Sequence, residues 1–126
     1  LLGYRNIIEA LGDKAARLQP LFITVDPERD SASVLREYTA AFHPAILGLR
    51  GSPELLRRAA ESFRVRYEKV REPGAAADVY TMDHSTGIYL LDGDGRFVVK
   101  FASNALPQEV ADHSAQPVRR GNAPLR

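Results

Sequence analysis

Cysteine is absent from all 126 residues, which excludes disulfides, thiolate metal sites and cysteine nucleophiles within this stretch. No excess of charge exists either: Lys+Arg 17 against Asp+Glu 16 leaves a formal net charge of +1. That balance gives no electrostatic reason to expect a nucleic acid or an anionic membrane as partner. No apolar run approaches the roughly 20 residues needed to span a bilayer, and no charged segment followed by an apolar one reads as a signal peptide. The stretch opens on Leu1 rather than Met, so the lack of a targeting segment says little about destination. What is present is ordinary for a soluble globular domain: 44% hydrophobic and 26% charged residues, enough for one core.

Periodicity outlines the elements. Tyr4 to Leu18 places Ile7, Ile8, Leu11 and Leu18 on one side of an amphipathic helix, with Gly12 its weak point. Leu21 to Val25 is a short β-branched apolar run, the pattern of a strand covered on both faces. Asp30 or Ser31 can cap a second helix with a core face of Val34, Leu35, Tyr38, Ala41 and Phe42, stopped at His43-Pro44. Ile46 to Leu49 reads as a strand. Ser52-Pro53-Glu54 is a strong helix start, followed by a buried stripe of Leu55, Leu56, Ala59 and Phe63.

Beyond it, Val65 to Val70 suits a strand, and Arg71 to Asp78 is a loop. Thr86 to Leu91 and Arg96 to Phe101 flank Asp92-Gly93-Asp94-Gly95 as a predicted hairpin. A last helix begins near Leu106 and soon loses its apolar pattern; from Ser114 the polar tail is expected to be disordered. Alternating helices and strands with a terminal hairpin predict an α/β sheet with a mixed edge. A buried strand at Leu21 needs neighbours on both sides, and the first helix needs a strand to cross over from. An N-terminal strand, or a pair, is therefore expected to be missing.

Four motifs then occur in order. Leu21-Phe22-Ile23-Thr24-Val25-Asp26-Pro27-Glu28-Arg29-Asp30 is similar to the F-[IV]-[ST]-[VI]-D-P-E-R-D segment of the Sco/SenC proteins, copper chaperones for cytochrome c oxidase assembly. Phe42 to Gly51, Phe63 to Val70 and the run Asp83-His84-Ser85 with Ile88 to Asp92 and Gly95-Arg96-Phe97 resemble three further family segments. Together they cover about Leu18 to Phe101. The resemblance implies a thioredoxin-like, three-layer αβα sandwich with a mixed sheet. Residues 1–113 would form that domain, incomplete at its N-terminus, and 114–126 a disordered tail.

The family binds copper through two cysteines of a C-x-x-x-C motif and one histidine. The histidine maps onto His84; the cysteines would fall just before the residues matched by Leu1 to Ile8, and this stretch lacks them. The resemblance therefore makes His84 a third copper ligand without its thiolate partners. Asp83 would either orient the His84 ring or cap its own turn. The implied partners are a cytochrome c oxidase copper-site subunit and a copper donor protein, and the implied location is the periplasm or the mitochondrial intermembrane space, by way of a membrane anchor. A thiol-disulfide oxidoreductase on the same fold would need the same cysteines. A cysteine-free interaction module is the alternative from another class, and an incomplete gene product prone to self-association is the last.

Other polar groups read more simply as structure. His43 is expected to bond the carbonyls ending its helix, and His113 to be exposed. Asp26, Glu28 and Asp30 are expected to cap the following helix, with Arg29 balancing their charge. Asp92 to Gly95 lacks the later ligands and closing Glu of a calcium loop, so turn chemistry explains it. The cluster Arg57, Arg58, Arg64, Arg66 alternates with Glu54, Glu61 and Glu68 as a solvated mixed face.

Overall fold

The structure, a computed structural model, describes residues 1–114 of the chain; the predicted tail lies outside the described residues apart from Ser114. In chain order the elements are α1 (Leu2–Leu11), a 3₁₀ segment (Gly12–Arg17), β1 (Leu21–Ile23), α2 (Ala32–Phe42), β2 (Leu47–Leu49), α3 (Pro53–Phe63), β3 (Tyr67–Val70), β4 (Thr81–His84), β5 (Ile88–Leu91), β6 (Phe97–Phe101) and α4 (Pro107–Ser114). They divide into two compact units, one made of residues 1–19 and 86 onward, the other of residues 20–85.

In the first unit Ile7 and Leu11 of α1 pack with Val110 and Ala111 of α4, and Tyr4, Leu18, Ile88 and Phe101 close around them. The predicted single helix to Leu18 breaks at Gly12, whose φ of 55° is costly for any residue with a Cβ. The chain continues in the tighter 3₁₀ form to Arg17. The β5–β6 hairpin is antiparallel as predicted, pairing Ile88 with Phe101 and Leu90 with Val99. Asp92 makes its turn: Oδ1 accepts the Asp94 and Arg96 N–H groups, both at 2.9 Å, and Gly95 supplies φ 80°. His113, expected to be exposed, sits edge-on against the Phe101 ring, with centroids 5.6 Å apart. An imidazole beside an aromatic ring is partly shielded from water.

In the second unit β1 and β2 are parallel, with Leu21 opposite Leu47 and Ile23 opposite Leu49. One face is covered by α2: Leu35 lies over Gly48, and the Phe22 and Tyr38 rings meet at 5.8 Å. The side chains of Leu21, Ile23 and Leu47 on the other face are 39%, 40% and 50% exposed. The expectation of a strand buried on both faces is corrected here. Among the described residues β2 is the one strand paired with β1, and a parallel pair alone cannot bury both faces.

The two helices of this unit follow their caps closely. Ser31 Oγ accepts the Val34 N–H at 3.3 Å, and Ser52 Oγ accepts the Leu55 N–H at 3.2 Å, with Pro53 opening α3. Their buried stripes are narrower than predicted: Leu35 and Thr39 in α2, Leu56 and Ala60 in α3. Each is an i, i+4 pair, so one fully buried line runs down each helix; Val34, Ala41 and Leu55 fall outside it, and Tyr38, though exposed, still meets the Phe22 ring. His43 does not offer its ring to the carbonyls ending α2. Its backbone N–H donates to Thr39, and its Nδ1 accepts the Ala45 N–H at 3.0 Å, which turns the chain toward β2.

Candidate functional site

α3 ends at Arg64, which adopts the left-handed region (φ 56°, ψ 42°), while Val65 N–H reaches back to the Ala60 carbonyl at 2.8 Å. This helix stop redirects the chain into β3. β3 then pairs antiparallel with β4, with Tyr67 opposite His84 and Lys69 opposite Met82. The predicted elements leave His84 unassigned, just before the Thr86 strand; the structure places it at the end of β4. Thr81-Met82-Asp83-His84 has no apolar alternation to announce a strand. Pairing with β3 across the Arg71 to Asp78 loop makes it one, and such tertiary pairing overrides local preference.

Ser85 locks this end of the ladder. Its N–H donates to the Arg66 carbonyl at 2.9 Å, and its Oγ accepts the Arg66 N–H at 3.0 Å. The Ser85 carbonyl lies 3.0 Å from His84 Nδ1. A carbonyl only accepts, so this contact assigns the proton to Nδ1 and leaves the Nε2 lone pair as the position open to a ligand. Of the two readings of Asp83, orienting the His84 ring or capping its own turn, the first has no contact here: the Ser85 carbonyl lies against the ring Nδ1 instead. Neighbouring strand residues point to opposite faces, which sets the Asp83 carboxylate across the ribbon beside Glu68. His84 opens onto a depression of about 780 Å³, bordered by Arg57, Arg64, Tyr67 and Ser85.

A second cluster stands at the other end of the same ribbon. Asp26 is buried, at 6% exposure, and both of its carboxylate oxygens are engaged. The Tyr80 hydroxyl lies 3.0 and 2.9 Å from them, and Arg29 Nε donates to Oδ2. The Arg29 fork also donates to the Tyr80 carbonyl at 2.9 Å, and its guanidinium lies 4.1 Å from the Tyr80 ring centroid. On β3, Lys69 donates to Glu28 at 2.8 Å, with its Nζ 4.8 Å from the same ring.

These contacts correct the reading of the acids as helix caps. Asp26 and Glu28 hold the β3–β4 ribbon, Asp30 accepts from the Thr24 hydroxyl at 2.5 Å, and the cap of α2 is Ser31. Burial pushes the Asp26 carboxyl up, but the hydrogen bonds from Arg29 and Tyr80 and the guanidinium charge outweigh it and hold it below the usual carboxylate value. The Tyr80 phenol is raised, by burial first and then by its bond to the Asp26 carboxylate. Tyr80 escaped the sequence reading; its one signal was an aromatic residue at the mouth of a loop holding Pro73, Gly74 and three alanines.

A mixed α/β chain of this order, with an antiparallel hairpin before its last described helix, belongs to the thioredoxin-like class, as its solved relatives show. ScoI of Bradyrhizobium japonicum with copper bound matches 90% of this chain and 71% of its own, with a TM-score of 0.78 and 37% identity. Yeast Sco1 matches 88% and 68%, with a TM-score of 0.73 and 38% identity. The family model described as SCO1/SenC matches residues 2–119, and the chain belongs to that family. Among its relatives, the SCO2-like protein of Rickettsia felis is 34% identical over 107 residues, 85% of this chain and 52% of that protein. The mitochondrial SCO2 homolog of Bos taurus is 40% identical over 109 residues, 86% and 39% respectively. The chain thus spans about half the length, or less, of these curated relatives.

The donor set decides what this stretch can do with copper alone. Copper(I) is soft and favours thiolate sulfur, with imidazole as a further ligand. The sequence has no cysteine, and no group of three or more His, Asp or Glu among the described residues is placed to hold a metal ion. One imidazole does not make a copper site, so these residues do not fit the ion unaided.

Proposed function

We propose that this stretch is the body of a copper chaperone for assembly of the cytochrome c oxidase copper site. His84 supplies the imidazole ligand for a copper cargo whose thiolate ligands lie outside these 126 residues. The observation that carries this is the state of the ring: Nδ1 is committed to the Ser85 carbonyl, and Nε2 is left at an open depression within the Asp83-His84-Ser85 segment. The partners are an oxidase copper-site subunit and a copper donor protein, the location is the periplasmic side of a membrane, and the role is delivery rather than catalysis. No helix among the described residues is long and apolar enough to cross a membrane.

The test is a copper(I) titration against a competing chelator, made on the 126-residue chain and on the native protein from its source, each with and without His84→Ala. Weak, substoichiometric binding is expected from the 126 residues. The native protein is expected to bind tightly, and His84→Ala to weaken it by at least about tenfold. Tight stoichiometric binding by the 126 residues would overturn the proposal, as would native binding indifferent to His84→Ala.

A further inference from the structure

The ribbon that displays His84 has two ends, and each is fastened differently. At the His84 end the fastening is local, through Ser85 and Arg66. At the far end both strands are gripped by the single turn that follows β1. Arg29 holds the Tyr80 carbonyl, Asp26 holds the Tyr80 hydroxyl, and Glu28 holds Lys69. Tyr80 directly precedes β4, and Lys69 pairs with Met82 in the middle of it. A four-residue strand entered from a long loop has little register information of its own. The grip on Tyr80, the residue just before the strand, therefore fixes register at its entry as Ser85 does at its exit, and a one-residue slip would carry His84 to the opposite face.

The structure assigns Tyr80 and Asp26 as positioning residues for His84: the phenol–carboxylate bond pins the start of β4 and so fixes the face, and the ring state, that His84 presents to its ligand. Arg29 completes the pin, because one guanidinium binds the Asp26 carboxylate and the Tyr80 carbonyl together. Such forked recognition is particular to arginine. The inference rests on His84 being a ligand position, yet its structural content can be measured without copper.

Tyr80→Phe is the discriminating variant, because it keeps the ring over which Arg29 and Lys69 lie and removes the hydroxyl alone. The measurement is residue-resolved amide hydrogen exchange on the 126-residue chain, together with the nitrogen NMR shifts of the His84 ring. Work at about pH 8 stays above the ordinary imidazole range. Loss of one hydrogen bond to a charged group is expected to speed exchange of the Thr81–His84 amides about tenfold. Exchange of the Ile88–Leu91 amides should stay unchanged, and the His84 ring should move from the Nδ1–H form toward a mixture of tautomers. Arg29→Lys should give the same signature, since it keeps the charge and loses the fork.

Exchange rising equally in both hairpins would reduce Tyr80 to general stability and overturn the assignment. So would a His84 ring signature unmoved by Tyr80→Phe and Arg29→Lys. Failure of the copper proposal would appear elsewhere, as native copper binding that ignores His84→Ala while these exchange and tautomer changes persist.

Discussion

Tyr80 Oη lies 3.0 and 2.9 Å from the two carboxylate oxygens of Asp26, 54 positions earlier in the chain. The carboxylate is buried, yet it has Arg29 as a second partner, so its charge is neither orphaned nor bare. This contact joins the turn after β1 to the strand that ends in His84, and two pH effects follow from it.

On the acid side, Asp26 titrates below the ordinary carboxylate value of 3.8. A depressed folded pKa gives stability that is complete above the unfolded value and is lost as pH falls through the folded one. Denaturant unfolding at a series of pH values should show this loss below about pH 4. Asp26→Asn should flatten that limb and lower stability at neutral pH by about 1 kcal/mol, the low end for a charged hydrogen bond because the Arg29 side chain is half-exposed. An unchanged acid limb in Asp26→Asn would refute it.

On the alkaline side the sign reverses in pH. Tyr80 is raised above 10.0, so its contribution is complete below that value and declines as pH rises through the folded one. Lys69, raised by its bond to Glu28, declines in the same direction. Tyr80→Phe should therefore remove part of the alkaline loss of stability, and absorbance titration should lose the phenol that ionises above the ordinary tyrosine value. A full alkaline limb in the variant would count against the contact.

Gly48 offers a packing test. A Cβ placed there would lie 2.6 Å from Leu35 Cγ, and Leu35 is 2% exposed and cannot swing away. Gly48→Ala should destabilise the chain by about 1–3 kcal/mol in thermal or denaturant unfolding. Combined with Leu35→Ala it should cost less than the sum of the two single changes. Additive costs would show that the contact is not the cause.

The uncovered face of β1 and β2 predicts self-association of the 126-residue chain. Leu21, Ile23 and Leu47 form an apolar patch beside a short parallel pair, the kind of edge that recruits another chain. Static light scattering should show mean mass rising with concentration, and Ile23→Lys should suppress the rise. A concentration-independent monomer mass would exclude it.

Much of this architecture was legible because it is local. The caps at Ser31 and Ser52, the Pro53 start, the Asp92 turn and the β5–β6 hairpin each rest on neighbouring residues, and the structure has all of them. His84 stood out only because the Asp83-His84-Ser85 segment resembles its family's. The elements that were misplaced depend on distant partners. β4 has no pattern of its own and exists by pairing with β3. The helix predicted to Leu18 broke because Gly12 took a left-handed turn that amphipathicity does not register.

By itself the sequence determined the absence of thiolate chemistry in this stretch, the α/β order of elements and the imidazole that could meet a copper ion. The first two follow from residue type and short-range spacing; the third follows only from the resemblance of the Asp83-His84-Ser85 segment to its family. Only the tertiary structure decided which nitrogen of His84 is open, which face of β1 is bare, and that Asp26 and Tyr80 meet. These depend on groups brought together across dozens of residues, where a hydrogen bond or a buried contact is settled by chain path and not by composition.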